Sequence, residues 1–130
     1  MQDIRDKADI KILVDAFYKK VRIDPIIGAV FAARIPNDDW TPHLERMYSF
    51  WHTILFGVSD YRGNSFAKHE QLPIQIQHFE RWIALLTETV DALFIGIKAE
   101  EVKLRAVKIG AVFQAKLAYI QANDIFKKSL

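Results

Sequence analysis

The 130-residue chain has no cysteine, which removes disulfides, thiolate metal ligands and cysteine nucleophiles together. It has only five glycines and four prolines. No glycine belongs to a Walker loop, a dinucleotide fingerprint or a Gly-x-Ser-x-Gly elbow, so phosphate cradling and serine hydrolysis have no support. One-sided charge is also missing. The formal net charge is +2 with acidic and basic residues interleaved, too little and too scattered for a nucleic-acid footprint. No apolar run approaches the roughly 18 to 20 residues that cross a bilayer, so no membrane partner is expected. Met1-Gln2-Asp3-Ile4-Arg5-Asp6 is polar where a signal peptide needs an apolar stretch, and the expected location is cytoplasmic.

Apolar residues make up 51% of the chain and charged residues 26%, with nine Phe, four Tyr and three Trp. Those are the proportions of one soluble domain over residues 1–130, long enough to build a single core. The apolar spacing is helical throughout. Ile10, Leu13, Phe17 and Val21, with Val14 and Tyr18 beside them, form one stripe that ends at Asp24-Pro25. A short helical segment is expected around Ile26, Ile27, Val30 and Phe31, then a turn at Ile35-Pro36-Asn37-Asp38. Thr41-Pro42 reads as an N-cap and first helical position. The helix it opens runs to Phe56, stops at Gly57, and gathers His43, Met47, Phe50 and Ile54 on a face with Trp51. After a polar loop with Tyr61 and Arg62, a short helix over Phe66 to Leu72 is broken by Pro73. Ile76, Phe79, Ile83, Leu86 and Val90, with Trp82 adjacent, trace a helix to about Phe94. Val102, Ala106, Ile109, Phe113, Leu117 and Ile120 trace a last one from about Ala99 to Ile120. The expected class is all-α, with five or six helices.

The chemistry-bearing candidates are four histidines. No His-Glu-x-x-His or Glu-x-x-His pair is present, so zinc and di-iron helix motifs are absent. Nine positions separate His43 from His52, half a turn at about 100° per residue, so the two face opposite ways and His52 reads as a surface or edge residue. His78 opens a helix, where a solvated or capping role is the plain explanation. His43 and His69 remain. Each alone is more often a core histidine than a ligand. Their neighbours shift that balance, because Tyr18 and Trp82 each carry one donor that needs a partner when buried. Such polar tips among Phe17, Phe31, Met47 and Phe50 are costly unless something polar meets them. A planar, largely apolar cofactor whose metal binds a small polar ligand would do so.

At these residues the chain resembles the truncated haemoglobins, and within them the third group. The string is Phe17-Tyr18, Asp24, Gly28, Asp39-Trp40-Thr41-Pro42-His43, Phe50-Trp51 and Asp60-Tyr61-Arg62-Gly63-Asn64. It continues as Lys68-His69-Glu70-Gln71-Leu72-Pro73 and His78-Phe79-Glu80-Arg81-Trp82. Ser65 departs from the pattern, where a proline is expected. The resemblance implies a two-on-two helical sandwich around haem b, with His69 as the proximal iron ligand. It further implies that Tyr18 and Trp82 donate to bound dioxygen, that His43 gates the distal side, and that Met47 forms a distal wall. Phe31 would pack on the porphyrin. Lys68 and Arg62 are candidates for the propionates, set against a reading as solvated loop charges.

Two strong distal donors would retain oxygen tightly, which argues against simple delivery. The expected function is binding of dioxygen and other diatomics for redox chemistry, such as nitric oxide dioxygenase or peroxidase-like activity, served by an unidentified electron donor or reductase. The alternatives are a reversible oxygen carrier or ligand sensor without turnover, and a haem-free helical interaction module. A sensor is expected to carry an output domain, and no segment reads as one. The expected state is a monomer, since no apolar stripe is left unassigned.

Overall fold

The computed structural model describes residues 1–59, 61 and 75–129, with side chains as far as residue 120. Helix α1 is Lys7–Ile23, α2 Gly28–Ala32, α3 Thr41–Phe56, α4 Ile76–Leu93 and α5 Ile97–Ser129, with a short 3-10 turn at Pro36–Asp38. There is no strand among the described residues, only an isolated bridge between Gln2 and Phe94. No described helix is long and apolar enough to cross a membrane.

Helix α1 starts where the Asp6 carboxylate accepts from the Asp9 amide, a side-chain N-cap that satisfies one of the orphan donors of the first turn. Its stripe of Ile10, Leu13, Val14, Phe17, Tyr18 and Val21 is buried, each side chain contributing about 1.5–3 kcal/mol of burial. The helix packs against α2, α3 and α4, while α4 packs against α5 and α3 touches α5. The core is therefore two helix pairs, α1 with α3 and α4 with α5, joined through α1 and α4. Ahead of α1, the Asp3 side chain accepts from the Lys98 and Ala99 amides at 2.9 Å each. That bond caps α5 from the far end of the chain.

The link from α1 to α2 is built on Asp24. Its carboxylate accepts from the Ile26 and Ile27 amides at 2.9 and 3.0 Å and from Arg81 Nε on α4 at 2.7 Å. Burial pushes this carboxyl up, but the Arg81 bond and the two amides outweigh it and hold Asp24 below the usual carboxylate range. The turn is tight because Gly28 lies on the end of α1. A methyl group there would stand 3.0 Å from the Val21 carbonyl oxygen and 3.1 Å from that of Arg22. Backbone atoms cannot swing aside, so Gly28→Ala is expected to cost about 1–3 kcal/mol of stability, read as a lowered denaturation midpoint with unchanged slope.

Several expectations need correction. Thr41 is the first residue of α3 rather than its cap, and its amide reaches Asp39 Oδ1 at 3.3 Å; Pro42 follows it. The end is as expected, with Gly57 in the left-handed region at φ 68°. Helix α3 carries two apolar stripes, not one. Tyr48, Trp51 and Leu55 are buried, whereas His43, Met47, Phe50 and Ile54 are half-buried, about 100° away round the helix. Trp51 thus belongs to the inner stripe. Tyr48, unremarked in the sequence, donates its hydroxyl to Asp15 across the α1–α3 contact. On α4, Ile76 is exposed while Leu85 and Thr89 are buried, because the stripe begins only at Phe79. The last helix runs nine residues past Ile120 to Ser129. Leu104, Val107, Val112 and Tyr119 on it are exposed, apolar residues outside the stripe traced from Val102 to Ile120.

Candidate cofactor cleft

Between the two helix pairs lies a largely apolar cleft, about 740 Å³ of space when its open mouth is included. Tyr18 of α1, Phe31 of α2, His43 and Met47 of α3, and Trp82 of α4 all line it. Five residues singled out in the sequence as distal or cofactor-facing therefore meet in one place, brought from four helices. Lys68, His69 and Arg62 lie outside the described residues, as does the expected short helix over Phe66 to Leu72.

Tyr18 is the deepest polar group. Its ring meets Phe17 edge-on at 4.8 Å and His43 edge-on at 4.9 Å. Burial pushes its phenol well above the ordinary value, which keeps the hydroxyl protonated and a donor at any physiological pH. Trp82, half-buried, holds its ring 6.2 Å from Phe17. Arg81 beside it is tied to Asp24, so the α1–α2 turn fixes the part of α4 that carries the indole. Neither the Tyr18 hydroxyl nor the Trp82 Nε1–H makes a hydrogen bond among the described residues. His43 points inward with Nε2 buried.

Phe31 and His43 are held by Trp40, whose role no local sequence pattern announces. Trp40 is 3% exposed, stacks on Phe31 at 6.2 Å and 28°, and meets His43 edge-on at 6.0 Å. Its indole N–H donates to Asp38 at 2.9 Å, and the Arg22 guanidinium lies 4.7 Å over its ring. Asn37 and Asp38 both take positive φ, 56° and 57°, a conformation that Asn and Asp tolerate better than other side chains. Those two residues swing the Asp38 carboxylate onto Trp40.

His52 is half-buried with its ring 5.8 Å from Phe56, away from the cleft, as the half-turn argument expects. His78 does more than that reading gave it. It caps α4 and also lines the cleft. The signal was its spacing, four residues before Trp82, which puts both on one helix face. Ile109, Gly110 and Phe113 of α5 form the opposite wall. Among the described residues no three His, Asp or Glu side chains gather as a metal cluster.

Walls of Phe, Ile and Met with a few donors at the deep end suit a flat apolar cofactor that carries a polar ligand at its centre. The family described as bacterial-like globin matches residues 2–113. The chain belongs to the bacterial-like globins. It is 30% identical over 115 residues to the group 3 truncated hemoglobin ctb of Campylobacter jejuni, covering 86% of this chain and 91% of that protein. The crystal structure of the group III truncated hemoglobin from Campylobacter jejuni superposes with a TM-score of 0.83, covering 90% of this chain and 95% of that one. The all-helical truncated-globin fold expected from the sequence is therefore the fold of this chain, a group III truncated haemoglobin. As a globin it is a haem protein of diatomic ligands. The cleft residues suit that group, because Tyr18 and Trp82 hold donors with no protein acceptor among the described residues and the surrounding walls are apolar.

Proposed function

We propose that this chain is a haem b protein that holds dioxygen and related diatomics in the cleft for redox chemistry, oxidising nitric oxide to nitrate or reducing a peroxide. The observation that carries the reading is that Tyr18 and Trp82, whose hydroxyl and Nε1–H have no acceptor among the described residues, both line a largely apolar cleft. Haem supplies the metal that takes up the ligand and exchanges electrons. The chain's own residues supply the rest. Tyr18 and Trp82 would offer hydrogen-bond donors to a diatomic held in the cleft, and the apolar walls would keep competing water away. His43, its ring 4.9 Å from that of Tyr18, would gate the way between solvent and ligand, and Met47 would close the wall one turn on. Phe31 would pack on the porphyrin. His69 would supply the nitrogen that holds the iron, and Lys68 and Arg62 are the candidates for the propionates. Joining one nitric oxide and one dioxygen as nitrate consumes one electron, which a reductase delivers.

The test begins with the ultraviolet-visible spectrum of the purified chain after haem reconstitution, where a Soret band is expected and its absence sinks the reading. The oxygenated form is then mixed with nitric oxide, and separately the ferric form with hydrogen peroxide, each with a reductase present. Stoichiometric binding with no turnover of either substrate would leave a reversible carrier instead.

A further inference from the structure

His78 sits in the first turn of α4, and its Nδ1 accepts the Gln75 backbone N–H at 2.8 Å. A neutral imidazole has one donor and one acceptor nitrogen, and a doubly protonated ring has no acceptor. Acceptance at Nδ1 therefore places the proton on Nε2. The same ring lines the cleft, is half-buried, and adjoins the exposed Gln75, so it belongs to the mouth rather than the floor. Its Nε2–H has no acceptor among the described residues. Trp82 lies one turn deeper on the same face. A ligand that reaches Trp82 with its apolar body must bring its outer edge to His78.

We propose that Nε2–H of His78 donates to a carboxylate on the solvent edge of the cofactor, one of the propionates if the cofactor is haem, so that a single ring both caps α4 and anchors the cofactor. This rests on the haem reading of the cleft. The cap is what makes the anchor work, because the Gln75 N–H fixes both the tautomer and the plane of the ring before the cofactor arrives. An unfixed imidazole would present an acceptor half of the time and repel a carboxylate. A fixed one is a ready donor, in the way outer partners orient histidines in metal sites.

Two substitutions separate the roles. His78→Asn keeps an oxygen near the place of Nδ1 and so keeps the cap, but has no donor at the place of Nε2. His78→Lys reverses this, keeping N–H donors that reach the cleft mouth and having no acceptor for the Gln75 N–H. The full chain and both variants are loaded with haem or with haem dimethyl ester, whose carboxylates are neutralised, and release to excess apomyoglobin is timed. His78→Asn is expected to lose haem roughly tenfold faster, the scale of one hydrogen bond to a charged acceptor, while His78→Lys releases it no faster than wild type. All three proteins should release the ester at one rate. Thermal unfolding of the haem-free chains should show the opposite order, with His78→Lys the less stable. Unchanged haem release from His78→Asn overturns the proposal, as does an equal acceleration with the ester, which would mark a packing effect alone. A wild-type chain that takes up neither form overturns the haem reading along with it.

Discussion

In the haem-loaded chain, Tyr18→Phe is expected to speed oxygen dissociation by about ten- to a hundredfold, and Trp82→Phe by a factor at the lower end of that range. The size follows from one charge-assisted hydrogen bond of about 1.5–3 kcal/mol, at about 1.4 kcal/mol per factor of ten. Tyr18 stands to matter more because it is 4% exposed whereas Trp82 is only half-buried, and a donor away from water loses less to competition. Tyr18→Phe removes only an oxygen. The ring keeps its edge contacts with Phe17 and His43 at 4.8 and 4.9 Å, so the fold should be untouched and circular dichroism unchanged. Trp82→Phe also removes volume, which carbon monoxide controls for. That ligand is far less polar when bound, so its release should change much less than that of oxygen. With both donors serving one ligand in the proposed site, the double variant should fall short of the product of the single effects. Stopped-flow displacement of oxygen reads all of this, and unchanged rates in both single variants would remove the distal network.

Why some of this was legible in the sequence and some was not has a physical answer in particular residues. Helical spacing alone gave α1 its stripe from Ile10 to Val21, because every member faces the same neighbour and the period of burial is the period of the helix. On α3 the same method merged two faces. A helix beside both a core and a cleft has two apolar stripes, and Trp51 reads like Phe50 until the cleft divides them. His43 and Tyr18 were legible as inward polar groups because a donor on an apolar stripe is costly without a partner. Trp40 and His78 were not. The role of Trp40 depends on Asp38 being turned by two positive-φ residues and on Arg22 reaching over from α1, contacts that no local pattern encodes. The double use of His78 depends on which ring nitrogen the Gln75 amide takes. Asp24 falls between these cases, since Asp-Pro announced a helix end but not the Arg81 partner 57 positions away.

The largest effect is expected at His69. His69→Ala should lose haem faster by more than the roughly 10–100-fold that removing a mere supporting partner of a ligand costs, with a Soret band shifted or absent at stoichiometric haem. The position lies outside the described residues, so its assignment is what the resemblance carried by Lys68-His69-Glu70-Gln71-Leu72-Pro73 implies, and each of the other three histidines is otherwise engaged. His52 is directed away from the cleft, against Phe56. His43 meets Tyr18 edge-on at 4.9 Å, and an iron bound there would leave the Tyr18 hydroxyl beside the proximal ligand, where no diatomic could use it. His78 has Nδ1 committed to Gln75, and its free nitrogen carries a proton that a metal would have to displace. Free imidazole supplies the decisive arm. In His69→Ala an added imidazole can occupy the space of the lost ring, and recovery of the wild-type spectrum would show that the missing group was a nitrogen donor to the metal rather than a packing element. Retention of a histidine-ligated spectrum without imidazole would instead place His43 or His78 on the iron, and would reverse the two sides of the cleft.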